Sequence, residues 1–147
     1  MIKFKPLTEQ KEWDWIVKRA KPTQVQDSQG LVAYKDNSGD ILGVVIMDNW
    51  TKSSCQVHIA IDNPFCIKAG LLVEAAYHIH VVCNRKYVFG LVPANNKKAY
   101  AFNLKIGFKE VARIPDAYAE GVDYIIVRMS KNNNPWLLKS AGKRKAA

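Results

Sequence analysis

The distribution of apolar and polar residues along the chain predicts a protein rich in β-strands. Ile2 to Lys5 alternates apolar and basic side chains, which is typical of a half-buried strand that ends at Pro6. Three further strands are predicted in apolar, β-branched segments that polar breaks separate, at Leu31–Tyr34, Ile41–Met47 and Cys55–Ile61. This spacing of strands and turns favours an antiparallel meander in the first part of the chain.

Apolar residues recur at three- and four-residue spacing in three other segments, which predicts helices. The first helix is expected to begin at the N-cap Thr8 and to end before Pro22. The second begins at Pro64 and should have roughly 16 residues, near the upper part of the usual range. The third follows Asn96 and ends at Gly107, because glycine favours the backbone conformation of a helix end.

Three more strands complete the predicted sheet. Tyr87–Val92 is a continuous apolar run, as expected of a strand covered on both faces, and Phe108–Ile114 and Asp123–Met129 follow it. The order β-α-β-β-β-α-β-α-β-β predicts an α/β (α+β) fold with a mixed, mostly antiparallel central sheet of about six or seven strands flanked by helices. Cys55–Ile61 and Tyr87–Val92 should lie parallel, joined through the second helix by a right-handed crossover.

The composition is that of one globular domain. With 147 residues, 48% of them hydrophobic, the chain can bury a sizeable core, which excludes a disordered protein. Residues 1–130 are predicted to form the domain and residues 131–147 a loosely attached basic tail. No apolar run approaches the roughly 20 residues that cross a bilayer. The first residues also lack the apolar part of a secretory signal, so we expect a cytoplasmic protein with no membrane partner.

The three cysteines, Cys55, Cys66 and Cys83, do not form a disulfide or zinc pattern. An odd, low count without Cys-x-x-Cys spacing is typical of buried thiols in a reducing compartment. We therefore predict inert, buried thiols.

Basic residues outnumber acidic ones, with 22 Lys and Arg against 13 Asp and Glu, a net charge of +9. No acidic residue follows Asp123, and the chain nearly ends with Lys143-Arg144-Lys145. A basic tail can contact polyanions without specificity, or it can simply be a solvated segment. Both interpretations stay open.

Histidines are the first candidates for chemistry. His58 lies on a predicted strand, and its ordinary pKa of about 6.5 suits removal of a proton from an ammonium group. A lone strand histidine is also a common structural residue. His78 and His80 are two residues apart on the second helix and point in different directions, so we predict no metal site. Glu74 and His78, four residues apart, are expected to support the helix locally.

The segment Asn96-x-x-Ala99-x-x-Phe102-x-x-Lys105-Ile106-Gly107-Phe108 carries the clearest motif. Together with the element order of residues 1–130, it resembles the second helix motif of the GNAT superfamily of N-acetyltransferases. The resemblance implies a sheet with a splayed parallel strand pair, acetyl-CoA as the acyl donor and an amine as the acceptor. The small, basic chain is similar to phage-type members, for which the host cytoplasm is the expected location.

The first family motif is only partly present. Members carry (Gln/Arg)-x-x-Gly-x-(Gly/Ala) before the long helix, and the matching stretch here is Phe65-Cys66-Ile67-Lys68-Ala69-Gly70. In the family this stretch brings backbone amides at a helix start to a diphosphate. The resemblance therefore implies cofactor binding at Lys68, Ala69 and Gly70. Lys68 can clash with the phosphates, bind them as a cation, or be a solvated residue of the first turn.

Four other positions carry over from the family. Ile59 and Ile61 match the strand whose backbone pairs with the pantetheine arm. Asn96 matches an asparagine that bonds the pantetheine, although capping the helix is an equally common role for asparagine. Ala99 matches a small residue against which the cofactor lies.

The catalytic positions depart from the family pattern. Asn103 stands where many members have a tyrosine that protonates the leaving thiolate, and an amide can only donate a hydrogen bond. Gln56 stands near the position of a glutamate base. His58, two residues further along the same strand face, is the best substitute base, so the candidate catalytic residues are His58 and Asn103. Replacement acids are possible among three tyrosines, Tyr100, Tyr118 and Tyr124.

Two functions of different kinds follow. The first is acyl-CoA-dependent transfer of an acetyl group to an amine of unknown identity, by a protein whose basic surface does not favour polycationic acceptors. The second is a binding or structural protein on the same fold, phage-associated and attached through its basic tail, because a site can decay while the scaffold persists. A nucleic-acid-binding module has only the charge in its favour. The sequence leaves the acceptor and the oligomeric state open.

Overall fold

The computed structural model describes residues 1–36 and 38–146, with side chains through Gly142. The strands are β1 (Ile2–Pro6), β2 (Gln29–Lys35), β3 (Ile41–Asp48), β4 (Ser54–Ile61), β5 (Tyr87–Pro93), β6 (Lys109–Ala119) and β7 (Val122–Ser130). The α-helices are α1 (Gln10–Ala20), α2 (Phe65–Ala69), α3 (Leu71–Tyr77), α4 (Lys97–Ile106) and α5 (Pro135–Ala146). A π-helical turn at His78–Val82 follows α3, and a short 3₁₀ turn at Lys131–Asn133 precedes α5.

The strands form one sheet in the order β1-β2-β3-β4-β5-β7-β6. The pairing of β4 with β5 is parallel, and the other described pairs are antiparallel. This confirms the predicted fold class and the predicted parallel pair. No helix in the described part of the chain has the length and apolar character needed to span a bilayer.

Helices cover the two faces of the sheet differently. One face packs against α3 and α4 through a large apolar cluster that includes Val57 of β4, Val88 of β5 and Val127 of β7. On the other face, Trp13 and Ile16 of α1 join the buried side chains of β2, β3 and β4. Side chains alternate between these faces along each strand.

Helix α1 starts one residue later than predicted, because Glu9 and not Thr8 is its N-cap. Glu9 and Glu12 form a reciprocal capping box. The fully buried Glu12 carboxylate accepts hydrogen bonds from the amides of Thr8 and Glu9, each at 2.9 Å. It also accepts from Lys5 Nζ and Tyr34 Oη, each at 2.6 Å. All of these donors converge on one carboxylate that joins β1, α1 and β2.

The predicted single helix from Pro64 is broken in the structure. Gly70, with φ of 120°, ends α2 and begins α3. A side chain at Gly43 of β3 would lie 2.8 Å from Cys66 Sγ and 3.2 Å from Leu71 Cδ2. The glycine therefore lets the ends of both short helices pack closely on the strand. Apolar spacing does not reveal the break because Cys66 and Leu71 both point to the core.

The predicted loose tail is wrong for the residues that the structure describes. Trp136 Nε1 donates to the Ile106 carbonyl of α4 at 2.8 Å, and α5 packs against α3. Asn134 Nδ2 lies 3.0 Å from Nε2 of the fully buried His80, whose Nδ1 lies 2.7 Å from the Arg85 carbonyl. Burial lowers the pKa of His80, which favours the neutral ring that these two contacts need. The side chains of the predicted attachment cluster at 143–145 lie outside the described residues.

Replacing Glu12 with alanine is expected to lower the free energy of unfolding by about 3 kcal/mol near neutral pH, because Lys5 and Tyr34 lose a buried acceptor. Burial on its own would raise the pKa of Glu12, but its hydrogen bonds lower it from 4.5 to about 2. A lowered pKa stabilises the fold above the unfolded value and ceases to do so as the pH falls through the folded value. Urea unfolding should therefore show the Glu12→Ala deficit shrinking between pH 7 and pH 2. Glu120→Ala, at an exposed carboxylate, is the control, and an equal deficit at both pH values would contradict this account.

A methyl group at Gly43 is expected to destabilise the fold, whereas one at Gly90 should not. The added Cβ at Gly43 would meet Cys66 Sγ at 2.8 Å and Ile61 Cδ1 at 2.9 Å. At Gly90 the nearest atom, Val127 Cγ2, is at an ordinary 3.4 Å. We expect Gly43→Ala to cost about 1–3 kcal/mol and Gly90→Ala less than about 1 kcal/mol in denaturant unfolding. Equal effects would mean that α2 shifts freely on β3.

Candidate functional site

The parallel strands β4 and β5 part in the middle of the sheet. Their pairing consists of three register pairs within the described chain, Ser54 with Tyr87, Cys55 with Val88, and Gln56 with Phe89. Beyond these pairs, β4 continues to pair with β3 as far as Ile61, and β5 continues to pair with β7 as far as Pro93. The facing edges of β4 and β5 therefore offer backbone donors and acceptors to a ligand or to water.

Helix α2 lies beside this gap and not in it. Cys66 Sγ lies 3.8 Å from the Leu42 carbonyl of β3 and packs next to Gly43. Since β3 borders β4 on the side away from β5, α2 is seated over the β3–β4 pair. Phe65 and Lys68 point to solvent. Helix α2 therefore does not fill the gap between β4 and β5.

The amides of the partly matched motif are mostly engaged within α2. The N–H groups of Ile67 and Lys68 donate to the Pro64 carbonyl at 3.0 and 3.4 Å. The Gly70 N–H donates to the Ile67 carbonyl at 3.0 Å. Lys68 and Ala69 are exposed and Gly70 is buried, so the first two present side chains to solvent beside a short, closed turn.

Helix α3 provides the next set of amides. Its first turn closes with the Glu74 N–H donating to the Gly70 carbonyl at 2.9 Å. In any α-helix the amides before that point have no acceptor one turn earlier within the helix, so residues 71–73 are its end donors. These amides follow Gly70 directly and carry the partial positive charge of a helix start.

His58 forms an ion-pair geometry with Asp48 just beyond the last pair of β4 and β5. Its Nε2 lies 2.9 Å from Asp48 Oδ2, and the Asp48 side chain is almost fully buried. A carboxylate can only accept, so Nε2 is the donor of this contact, and Nδ1 has a lone pair only in the neutral form of the ring. Burial raises the pKa of Asp48, and the contact with His58 opposes that rise.

A second polar pair supports this arrangement. Asn49 Nδ2 donates to Gln56 Oε1 at 2.8 Å, which holds the Gln56 side chain next to the Asp48–His58 pair. Asp48 and Gln56 are register partners across β3 and β4, and His58 is two residues further on the same face. Asp48 is not among the residues predicted from the sequence. It ends an apolar strand a short turn before Gln56 and His58, and this spacing indicates a hairpin that brings the three residues together.

The other predicted residues are on α4, which follows β5, and on β4. Asn96 caps the helix, since its Oδ1 accepts from the Ala99 amide at 3.1 Å. Asn103 Nδ2 donates to the Ala99 carbonyl at 2.8 Å, so this amide is bonded within its own helix. Ile59 and Ile61 are half-buried along the open part of β4.

The three candidate tyrosines are bound elsewhere. Tyr100 Oη donates to Glu110 Oε1 at 2.8 Å, and Glu110 also accepts from Arg113. The rings of Tyr118 and Tyr124 meet edge to face with centroids 5.4 Å apart. The structure brings His58 and Gln56 together with Asp48. Tyr100 lies on α4 and is bonded to β6, and Tyr118 and Tyr124 contact each other on β6 and β7.

The sheet face that carries His58 is only partly covered by α1, which contacts β3 and β4. The strands β5, β7 and β6 continue this face with half-buried or exposed side chains that alternate with the buried cluster: Phe89, Leu91, Tyr124, Ile126, Arg128, Lys109, Ala112 and Ile114. We call this set the open face. It is apolar and basic.

No protein-family model and no curated protein sequence matches this chain. Several solved structures do match its fold. A GNAT-family acetyltransferase from Elizabethkingia anophelis with acetyl-CoA bound has a TM-score of 0.70 at 14% identity, covering 88% of this chain and 97% of that chain. The spermidine/spermine N-acetyltransferase SpeG from Vibrio cholerae has a TM-score of 0.70 at 14% identity, covering 95% and 96%. The complex of spermidine N-acetyltransferase from Vibrio cholerae with CoA and spermine has a TM-score of 0.69 at 13% identity, covering 90% and 97%. These likenesses extend over nearly the whole chain, and the protein has the fold of the GNAT acetyltransferases.

Proposed function

We propose that this chain is an acetyl-CoA-dependent N-acetyltransferase whose acyl donor lies between β4 and β5. The observation that carries the proposal is the parting of these strands beyond Gln56 and Phe89, next to the Asp48–His58 pair. Structural neighbours with acetyl-CoA or with CoA bound support this choice of donor.

The residues around the gap fit the chemistry of this donor. Backbone groups along residues 57–61 suit the amides of the pantetheine arm, as the exposed edge of a strand suits an extended ligand. The Asn96 Oδ1 is used for capping, and its Nδ2 amide is available for a hydrogen bond. The amides of residues 71–73, with the exposed Lys68 nearby, offer donors and a cation to the diphosphate. Ala99 presents a small side chain on the α4 side.

His58 is proposed as the base. The donor supplies a thioester carbonyl; the amine nitrogen forms a bond to its carbon while the carbon–sulfur bond breaks and CoA leaves as a thiolate. The nitrogen must lose a proton, and we propose that His58 Nδ1 in the neutral ring takes it. Asp48 holds the ring through Nε2 and stabilises the imidazolium that results. Positioning of the two substrates contributes the rest of the rate.

The open face favours an acceptor without extra positive charge. It contains Arg128 and Lys109 and none of its members is acidic. A polyamine would need carboxylates to offset its charge, whereas an apolar or carboxylate-bearing amine is compatible with this surface. We therefore propose that the acceptor is not of the spermidine class named for two of the structural neighbours.

Acetyl-CoA binding tests the donor assignment. A ligand that binds only the folded chain raises its unfolding temperature by mass action, so millimolar acetyl-CoA should raise Tm by several degrees. Adenosine diphosphate at the same concentration should give a smaller shift, because it lacks the pantetheine arm. No shift with acetyl-CoA would overturn the proposal.

Substitution of His58 tests the base. His58→Gln is expected to lower kcat at least about 100-fold and to leave the KM for acetyl-CoA nearly unchanged. Asp48→Asn should lower kcat by a smaller factor. The His58 ring keeps a hydrogen-bonding neighbour at residue 48, but that neighbour no longer carries a negative charge. The assay is CoA release with a panel of apolar, carboxylate-bearing and polyamine acceptors. His78→Gln, at a histidine outside this site, is the matched control, and full activity of His58→Gln would remove His58 from the mechanism.

A catalytically degenerate binding protein is the second candidate. It is favoured by the amides of residues 66–68, which are bonded within their own turn, and by Asn103, which is bonded to its own helix. In that case acetyl-CoA, or CoA, would raise Tm without CoA release for any acceptor of the panel.

A further inference from the structure

Gln56 lies at the point where the parallel pairing of β4 with β5 ends. Its register partner Phe89 is the last residue of β5 that pairs with β4 within the described chain, and the gap begins beyond this pair. Side chains alternate along a strand, so Gln56 and His58 project from the same face, about 6.6 Å apart along β4. The Gln56 side chain therefore stands at the closed end of the gap, next to the Asp48–His58 pair.

A hydrogen bond with Asn49 determines which way the Gln56 amide points. Asn49 Nδ2 donates to Gln56 Oε1 at 2.8 Å, so the Nε2 end of the amide is turned away from Asn49. In the described part of the chain, Nε2 has no hydrogen-bond partner. It is also not among the buried polar atoms that lack a partner there, which are Asp48 Oδ1, Arg85 Nε and Ser140 Oγ, so it is open to solvent. Because the residue as a whole is only 8% exposed, the amide presents oriented N–H donors in a mostly buried position.

The proposed position of the acyl donor brings its thioester to this amide. Residues 71–73, which would hold the diphosphate, follow the far end of β4 in the chain. From there the pantetheine arm runs back along residues 57–61 toward the closed end of the gap. The thioester is at the tip of the arm, so its carbonyl comes to lie beside Gln56 and His58.

None of the three cysteines, all of which the structure describes, presents an exposed thiol at this end of the gap. Cys55 adjoins Gln56 in the chain but joins the buried cluster of the opposite face, and burial raises the pKa of its thiol to about 12. Cys66 is fully buried too, and Cys83 lies past the π-helical turn. Cys83 is half-buried, so the prediction of three buried thiols is wrong for this residue. This arrangement favours direct attack of the amine on the thioester.

We propose that Gln56 is a catalytic residue of the acetyl transfer, whose Nε2 donates a hydrogen bond to the thioester oxygen. This role rests on the proposed function. When the amine nitrogen bonds to the carbonyl carbon, the C=O electron pair moves to the oxygen, and the Gln56 N–H stabilises the resulting oxyanion without losing its proton. The pair then returns to form the carbonyl of the product amide, the carbon–sulfur bond breaks and CoA leaves as a thiolate. The nitrogen gives its proton to His58 Nδ1.

The spacing of Gln56 and His58 suits the two polar ends of this intermediate. Two hydrogen bonds of about 2.9 Å, one to the oxygen and one from the nitrogen, are joined by the short N–C–O unit between them. Together they can bridge two side chains that lie about 6.6 Å apart on one strand. An amide cannot take a proton, so Gln56 serves as the donor while His58 serves as the base. The low exposure of the amide strengthens its hydrogen bond to a developing charge.

Infrared spectroscopy of bound acetyl-CoA tests this hydrogen bond without the need for an acceptor. With a carbon isotope label at the thioester carbonyl, the stretching band should lie at lower wavenumber on the wild-type chain than on Gln56→Met, because a hydrogen bond weakens the C=O bond. Methionine keeps the length of the side chain and removes its N–H groups, and Gln56→Leu serves the same comparison if Gln56→Met does not fold. Gln10→Met, at an exposed glutamine of α1, is the matched control and should keep the wild-type band.

The same experiment distinguishes failure of this role from failure of the proposed function. Identical bands on the wild-type chain and on Gln56→Met, with acetyl-CoA bound to both, would overturn the role of Gln56 and leave the proposed function standing. If the wild-type chain does not bind acetyl-CoA, the proposed function fails and the role of Gln56 fails with it.

Kinetics separate a donor to the oxyanion from a residue that only supports His58. With an acceptor that the wild-type chain acetylates, Gln56→Met should lower kcat about 100-fold or more and change the KM for acetyl-CoA by less than about twofold. The pH profile of kcat should keep its shape, because His58 remains the base. A residue that only held the Asp48–His58 pair in place would shift this profile when replaced. Such a shift, or an unchanged kcat, would remove Gln56 from the catalytic step.

Discussion

The divergence of β4 and β5 is the constraint on which the candidate site depends. Each strand is held on its other side, β4 by β3 and β5 by β7, along the whole length over which the two strands part. Closing the gap would require one of these ladders to shift, and a shift by one residue would turn buried side chains to solvent. The sheet therefore keeps unpaired strand edges in its middle, where a ligand can satisfy them.

The main packing core and the candidate catalytic pair lie on opposite faces of the sheet. The buried cluster under α3 and α4 fixes the strands, whereas the Asp48–His58 pair lies on the opposite face beside α1. The stretch from Phe65 to Gly70 departs most from the motif that the sequence resembles, since the amides of α2 bond within their own turn and Lys68 stands where that motif has a glycine. A fold can tolerate such changes because its core does not depend on them.

Much of the fold follows from the sequence, because strand and helix periods are set by which side chains must be buried. The helix break at Gly70 and the π-helical turn at His78–Val82 could not be predicted from the sequence. Both change the backbone but preserve the apolar stripe of side chains. The predicted tail failed because the contacts of Asn134 and Trp136 are made with residues far away in the chain. The position of Asp48 beside His58 depends on the register of β3 against β4. Turn geometry fixes this register, and composition does not reveal it.

The segment that leads into α5 closes the interior of the domain over a long stretch of chain. Asn134 contacts the buried His80 ring and Trp136 donates to the Ile106 carbonyl, and these two contacts join residues 54 and 30 positions apart. Closing loops of such length costs chain entropy before the contact is gained. The His80 ring therefore stays without this partner, and the end of α4 without its cover, until α5 docks.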